Sequence, residues 1–134
     1  MFTGIIRSKG VITDIKGDAD LKVLKISAPG FIENKKVGDS IAVDGTCLTV
    51  KSLEKDKFAV EIMPETMTKT TVNDYIKGTT VNLEDSLKMG DTIEGHFVSG
   101  HIDFTGEVVK VINGKSTVDL IISIPEKWIS WLPL

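Results

Sequence analysis

A self-match restricts what this chain can fold into more than any other feature. Shifted by 96 residues, the sequence lays Gly4 on Gly100, Ile6 on Ile102, Gly10 on Gly106, Leu24 on Leu120, Ile26 on Ile122, Ser27 on Ser123 and Pro29 on Pro125. Conservative pairs such as Thr3 with Ser99, Ile12 with Val108 and Ile15 with Val111 fill the gaps, and no insertion is needed. Glycines and a proline coincide where backbone geometry leaves little choice of residue. The offset far exceeds the roughly 20–50 residues of a solenoid repeat, so it reads as a domain duplication. The first copy is expected over residues 1–95 and the second over 96–134. Leu134 falls opposite Gly38, just before the counterparts of Asp39 to Val50. The chain is therefore expected to hold one complete domain and the opening of another, whose few strands alone would leave open edges.

Within the first copy, short apolar runs alternate with turn residues. Strands are predicted over 21–26, 40–44, 47–50, 58–63 and 79–84. Between them lie Gly38-Asp39, Asp44-Gly45, Lys55-Asp56-Lys57, Lys77-Gly78 and Met89-Gly90-Asp91. Short strands with a turn every ten residues or so indicate an all-β sandwich or barrel. No sustained alternation of strand and helix supports a doubly wound sheet. One helical turn is expected over 29–33. A short helix is expected over 64–70, where Pro64 suits the first turn because it has no amide hydrogen to leave unpaired.

Composition narrows the function classes. A net charge of −3 with scattered Lys and Arg gives no basic face for nucleic acid. No apolar run approaches the roughly 18 residues of a membrane span, and MFTGIIRSKG lacks the features of a signal peptide. The single cysteine, Cys47, forms no internal disulfide. Together these favour the cytoplasm. His96 and His101 have no third partner at metal-ligand spacing and lie in a strand-or-turn segment, so no metal is expected. Read alone, Cys47 is a small buried residue, Ser40 a turn exit and Pro64-Glu65-Thr66 a helix start.

The segments MFTGII, VGDSIAVDGTCLTV, MPETMTKTT, VNLEDSLKMGD and GHFVSGHIDFTG resemble, in order and spacing, the signature segments of riboflavin synthase. The resemblance implies a six-stranded Greek-key barrel, duplicated in the family, with the second barrel incomplete in this chain. It implies dismutation of two 6,7-dimethyl-8-ribityllumazine molecules by four-carbon transfer, giving riboflavin and 5-amino-6-ribitylamino-2,4-pyrimidinedione with no cofactor. It also implies a homotrimer, with lumazine synthase a candidate partner. Each barrel would bind one lumazine, and each active site would lie between barrels of neighbouring subunits.

The same resemblance points to residues. Gly4-Ile5-Ile6 and Gly100-His101-Ile102 match binding segments, as do Cys47-Leu48-Thr49 and Glu61-Ile62-Met63-Pro64-Glu65-Thr66. A slot at the barrel mouth would grip the flat ring, with Thr49 and Thr66 as polar contacts and Ile6, Met63 and Ile102 as apolar walls. Ser40, Cys47 and His101 match positions linked to catalysis. Histidine is suited to relaying protons near neutral pH, and Cys47 is either a nucleophile or a polar wall. The alternative is a non-catalytic lumazine- or flavin-binding protein with the same barrels. If the polypeptide ends at Leu134, a half-enzyme that binds without turnover is expected. With a full second barrel, synthase activity is expected.

Overall fold

The computed structural model describes residues 1–132; Leu134, the partner of Gly38 in the self-match, lies outside them. The chain divides into two compact units, with the boundary between Asp103 and Phe104. No helix among the described residues is long and apolar enough to cross a membrane.

The first unit is a closed antiparallel barrel built from β1 (Ser8–Gly17), β2 (Lys22–Ser27), β3 (Ser40–Val43), β4 (Thr46–Glu54), β5 (Lys57–Ile62) and β6 (Thr80–Asp85). Their order round the barrel is β1-β2-β5-β4-β3-β6. β3, β4 and β5 follow one another through hairpins and β2 lies beside β5, which is a Greek key. The β3–β4 hairpin turns on Asp44 and Gly45, both at positive φ (46° and 81°), as a two-residue hairpin turn of type I′ requires. Alternation sends Leu24 and Ile26, Leu48 and Val50, Phe58, Val60 and Ile62, and Val81 and Leu83 into one core. A barrel this narrow is filled by its own side chains.

The longest strand, β1, has no counterpart among the predicted strands. Its pairing with β2 shifts register between Ile12 and Asp14, so a bulge interrupts the period-two pattern. Gly10 faces inward there without contributing an apolar side chain. A Cβ on Gly10 would lie 2.6 Å from Ile26 Cγ2 and 2.9 Å from Leu83 Cδ1. Between β5 and β6 the chain forms α1 (Pro64–Lys69), with Pro64 in its first turn, and a 3-10 turn over Thr71–Asp74. Met67 and Val72 are buried against the core. Residues 29–33 form turns rather than a helix, with Gly30 at φ 77°.

The second unit, described by itself, is a two-stranded sheet of β7 (Glu107–Asn113) and β8 (Val118–Ser123), followed by a 3-10 turn over Glu126–Trp131. Phe104 stacks on Trp128 at a ring separation of 5.1 Å. The β7–β8 register repeats that of β1–β2 with every number raised by 96, including a shift between Val108 and Lys110. A Cβ on Gly106 would meet Ile122 Cγ2 at 2.8 Å, as one on Gly10 would meet Ile26.

Candidate ligand-binding site

The site begins with the way the chain returns to the barrel. Phe2 and Val98 exchange both backbone hydrogen bonds, at 2.7 and 3.0 Å, and the His96 amide donates to the Thr3 carbonyl at 2.9 Å. Residues 96–103, assigned to the second copy by the self-match, thus pack within the first compact unit. Phe2 is buried under this clip. Farther on, the Cys47 amide at the start of β4 donates to the Gly100 carbonyl at 2.8 Å. Gly100 adopts φ 76°, and a Cβ there would sit 2.9 Å from both Cys47 Cβ and the Phe2 ring. Only glycine meets both demands.

This contact brings residues 100–103 beside β4 and α1. A cleft of about 460 Å³ opens there, lined by Thr46, Cys47, Glu65, Thr66, Lys69, Thr70 and Gly100 to Asp103. A second cleft of about 530 Å³ shares Cys47 and Thr66 with the first and continues along Leu48, Thr49, Lys51, Glu61 and Met63. Both lie on the outer face of the wall. Cys47, Thr49 and Lys51 alternate outward along β4 while Leu48 and Val50 alternate inward. Core side chains fill the barrel interior, and these two clefts form where α1 and the returning segment flank the wall.

The sequence-predicted residues fall into three groups. Cys47, Leu48, Thr49, Glu61, Met63, Glu65, Thr66, Gly100, His101 and Ile102 line these two joined clefts. Gly4 and Ile6 line a different cleft of about 400 Å³, with Phe2, Ala42, Leu83 and Val98. Ile5, Ser40, Ile62 and Pro64 line none of the three. Ile62 is fully buried in the core, whereas Pro64 is exposed at the start of α1. Ser40 pairs with Thr49 across β3 and β4, so it shares the outer face with Thr49 and Cys47.

Two ion pairs border the clefts. Lys69 Nζ lies 2.7 Å from Glu65 Oε1, one helical turn away. The hydrogen bond from Lys69 and then its charge hold the Glu65 carboxyl below the usual range. Lys51 pairs with Glu61 across β4 and β5. Among the described residues, the Thr49 and Thr66 hydroxyls make no side-chain hydrogen bond. The arrangement joins an apolar wall (Met63, Ile102) to free hydroxyls, a thiol and a histidine, which suits a flat ring carrying a polyol. The Glu65–Lys69 pair was legible as an i, i+4 spacing, and Lys51 as the outward position after Cys47 and Thr49.

Residues 3–86 match the family model described as the lumazine binding domain. The chain belongs to that family. This lumazine-binding domain is 44% identical to a riboflavin synthase of Bacillus subtilis (strain 168) over 111 residues, 83% of this chain and 52% of the relative. It is 38% identical to a riboflavin synthase of Schizosaccharomyces pombe over 120 residues, 89% of this chain and 58% of the relative. The chain thus spans about half the length of the curated relatives it matches. The lumazine-binding barrel is also similar to the crystal structure of LumP complexed with riboflavin, with a TM-score of 0.86 and 26% identity over 97% of this chain and 71% of that one. LumP complexed with 6,7-dimethyl-8-(1'-D-ribityl) lumazine gives a TM-score of 0.84 at the same identity.

Proposed function

We propose that the joined clefts around Cys47 and Thr66 bind 6,7-dimethyl-8-ribityllumazine, and that the chain is the N-terminal lumazine-binding part of a riboflavin synthase. One observation carries this reading. Residues from three separated stretches, Cys47 to Thr49, Glu61 to Thr66, and Gly100 to Ile102, converge on the same pair of clefts. The ring would lie on Met63 and Ile102, and the ribityl chain would meet Thr49 and Thr66. Residues 96–134 would open a second barrel, a reading that the shared register of β1–β2 and β7–β8 supports.

The proposed reaction joins two lumazines. The C7 methyl of one is acidic because its anion delocalises into the ring, so a weak base removes its proton. A nucleophile adds to the ring of the other; four carbons then pass from one molecule to its partner, the nucleophile is expelled again, and the donor leaves as 5-amino-6-ribitylamino-2,4-pyrimidinedione while the acceptor becomes riboflavin. His101 is the proposed proton relay, and Cys47 and Ser40 are the candidates for activating the ring. Holding both substrates in register supplies much of the rate, so turnover needs two barrels, and a homotrimer in the cytoplasm belongs to this reading.

The test has two parts. Titration of the 134-residue chain with 6,7-dimethyl-8-ribityllumazine, followed by ligand fluorescence, is expected to show saturable binding. A chain extended by a complete second barrel is expected to release riboflavin from the same substrate. Binding without turnover in the extended chain would favour the second reading, a lumazine- or flavin-binding protein, which the likeness to LumP supports. Absence of binding in both chains would overturn both.

A further inference from the structure

We propose that Glu84 is a positioning residue for the ligand cleft, acting through the N-terminal segment and the returning chain; this rests on the functional reading above. Glu84 lies on β6, away from the clefts around Cys47, and is only 8% exposed. Its carboxylate accepts the Thr3 amide at 2.5 Å, the Thr3 hydroxyl at 2.7 Å and, through its other oxygen, the Gly4 amide at 3.1 Å. Among the described residues no lysine or arginine forms an ion pair with it. A buried carboxylate without a cation is costly unless oriented donors hold it. Here every donor belongs to one short stretch of backbone and its threonine.

That stretch is what the returning segment grips. The Thr3 carbonyl accepts the His96 amide, Phe2 exchanges two hydrogen bonds with Val98, and the Gly100 carbonyl accepts the Cys47 amide. His101 and Ile102 follow directly and line the cleft. The path therefore runs from a carboxylate on β6 to Thr3, from Thr3 to His96 and Val98, and from there to the wall that would face the ligand. An amide cannot replace the carboxylate. Three donors converge on two acceptor oxygens, whereas glutamine offers one oxygen and an NH2 group that would meet another donor.

The test compares Glu84→Gln and Glu84→Ala with the parent chain and with Glu54→Gln, a surface control whose partner is Lys25. Amide hydrogen exchange and riboflavin titration are measured together. The Glu84 variants are expected to exchange the His96, Val98 and Cys47 amides about tenfold faster or more, while β5 amides stay within about twofold. Riboflavin affinity is expected to fall about tenfold, equal to about 1.4 kcal/mol. If Glu84→Ala does not fold, Thr3→Val removes the hydroxyl alone and is expected to move the same amides by a smaller factor. Parent-like affinity in a folded Glu84 variant overturns the proposal, as does lost affinity with those amides still protected. If the parent chain binds neither riboflavin nor the lumazine, the functional reading fails, and the exchange pattern alone decides whether Glu84 holds the segment.

Discussion

Gly100 is the residue at which local geometry and the site meet. Alanine there combines a left-handed backbone, costing about 1–2 kcal/mol, with a Cβ pressed against Cys47 and Phe2. Detaching residues 96–101 relieves both strains more cheaply than unfolding the barrel. Gly100→Ala is therefore expected to weaken riboflavin binding at least tenfold while lowering the thermal midpoint only slightly, which titration and calorimetry on one sample would check. Tyr75 offers a pH-dependent test. Its hydroxyl donates to Asp44 Oδ2 at 2.7 Å, and burial, then the Asp44 carboxylate, raise its pKa well above the ordinary value. The folded state thus keeps a proton that the unfolded chain releases near pH 10. The associated stability is fully present below pH ~10 and is lost as pH climbs from there toward the folded value. Tyr75→Phe is expected to cost about 1 kcal/mol at pH 7 and to flatten the decline in urea midpoint between pH 9 and 11. Sequence showed Gly100 through its match with Gly4, since both carry positive φ (76° and 81°). It gave no sign of Glu84, because a glutamate on the outward phase of a strand looks like any solvated one until the chain folds over it.

At the level of elements, β2 to β6 were legible because alternation and turn residues coincide. Asp44-Gly45 marks a hairpin on the sequence and makes one in the fold. β1 was not legible, because a bulge after Ile12 reverses the phase of its side chains and Gly10 leaves an inward position without apolar bulk. The same glycine yields a prediction. In Gly10→Ala the added methyl would meet Ile26 and Leu83, both fully buried, and overpacking of this kind costs about 1–3 kcal/mol. A urea midpoint lowered with an unchanged slope would bear this out, and an unchanged midpoint would show that β1 can back away from β2 at no cost. The clefts were legible as a set of residues but not as a place. Their location follows from α1 and residues 100–103 flanking β4, an arrangement that no local pattern announces.

Across the whole molecule, the two compact units differ in how much apolar surface they bury. The barrel closes round a core that includes Phe58, Val60 and Ile62. In the second unit every residue of β7 and β8 is exposed, including Val108, Val111, Leu120 and Ile122. An isolated two-stranded sheet is marginal in water, so protease added to the 134-residue chain is expected to cut within 104–132 well before it cuts within 8–85. Mass spectrometry of the first fragments checks this, and early cleavage inside the barrel would contradict it. In an assembly that covers β7 and β8, the same sites are expected to become resistant.

The clip between Phe2 and Val98 also sets an order of events during synthesis. Residues that open the barrel unit make their main-chain partners with some of the last residues of that unit. Domains fold as units while the chain is made at roughly 5–20 residues per second, so all six barrel strands emerge roughly 0.5–3 seconds before His96 to Gly100 do. Until then the Thr3 carbonyl and the Cys47 amide lack these partners, and the wall carrying His101 and Ile102 does not exist. A nascent chain therefore passes through a stage in which the barrel strands are available but the proposed binding site is not. On the proposed function, ligand capture would begin only after the last part of that unit has been made.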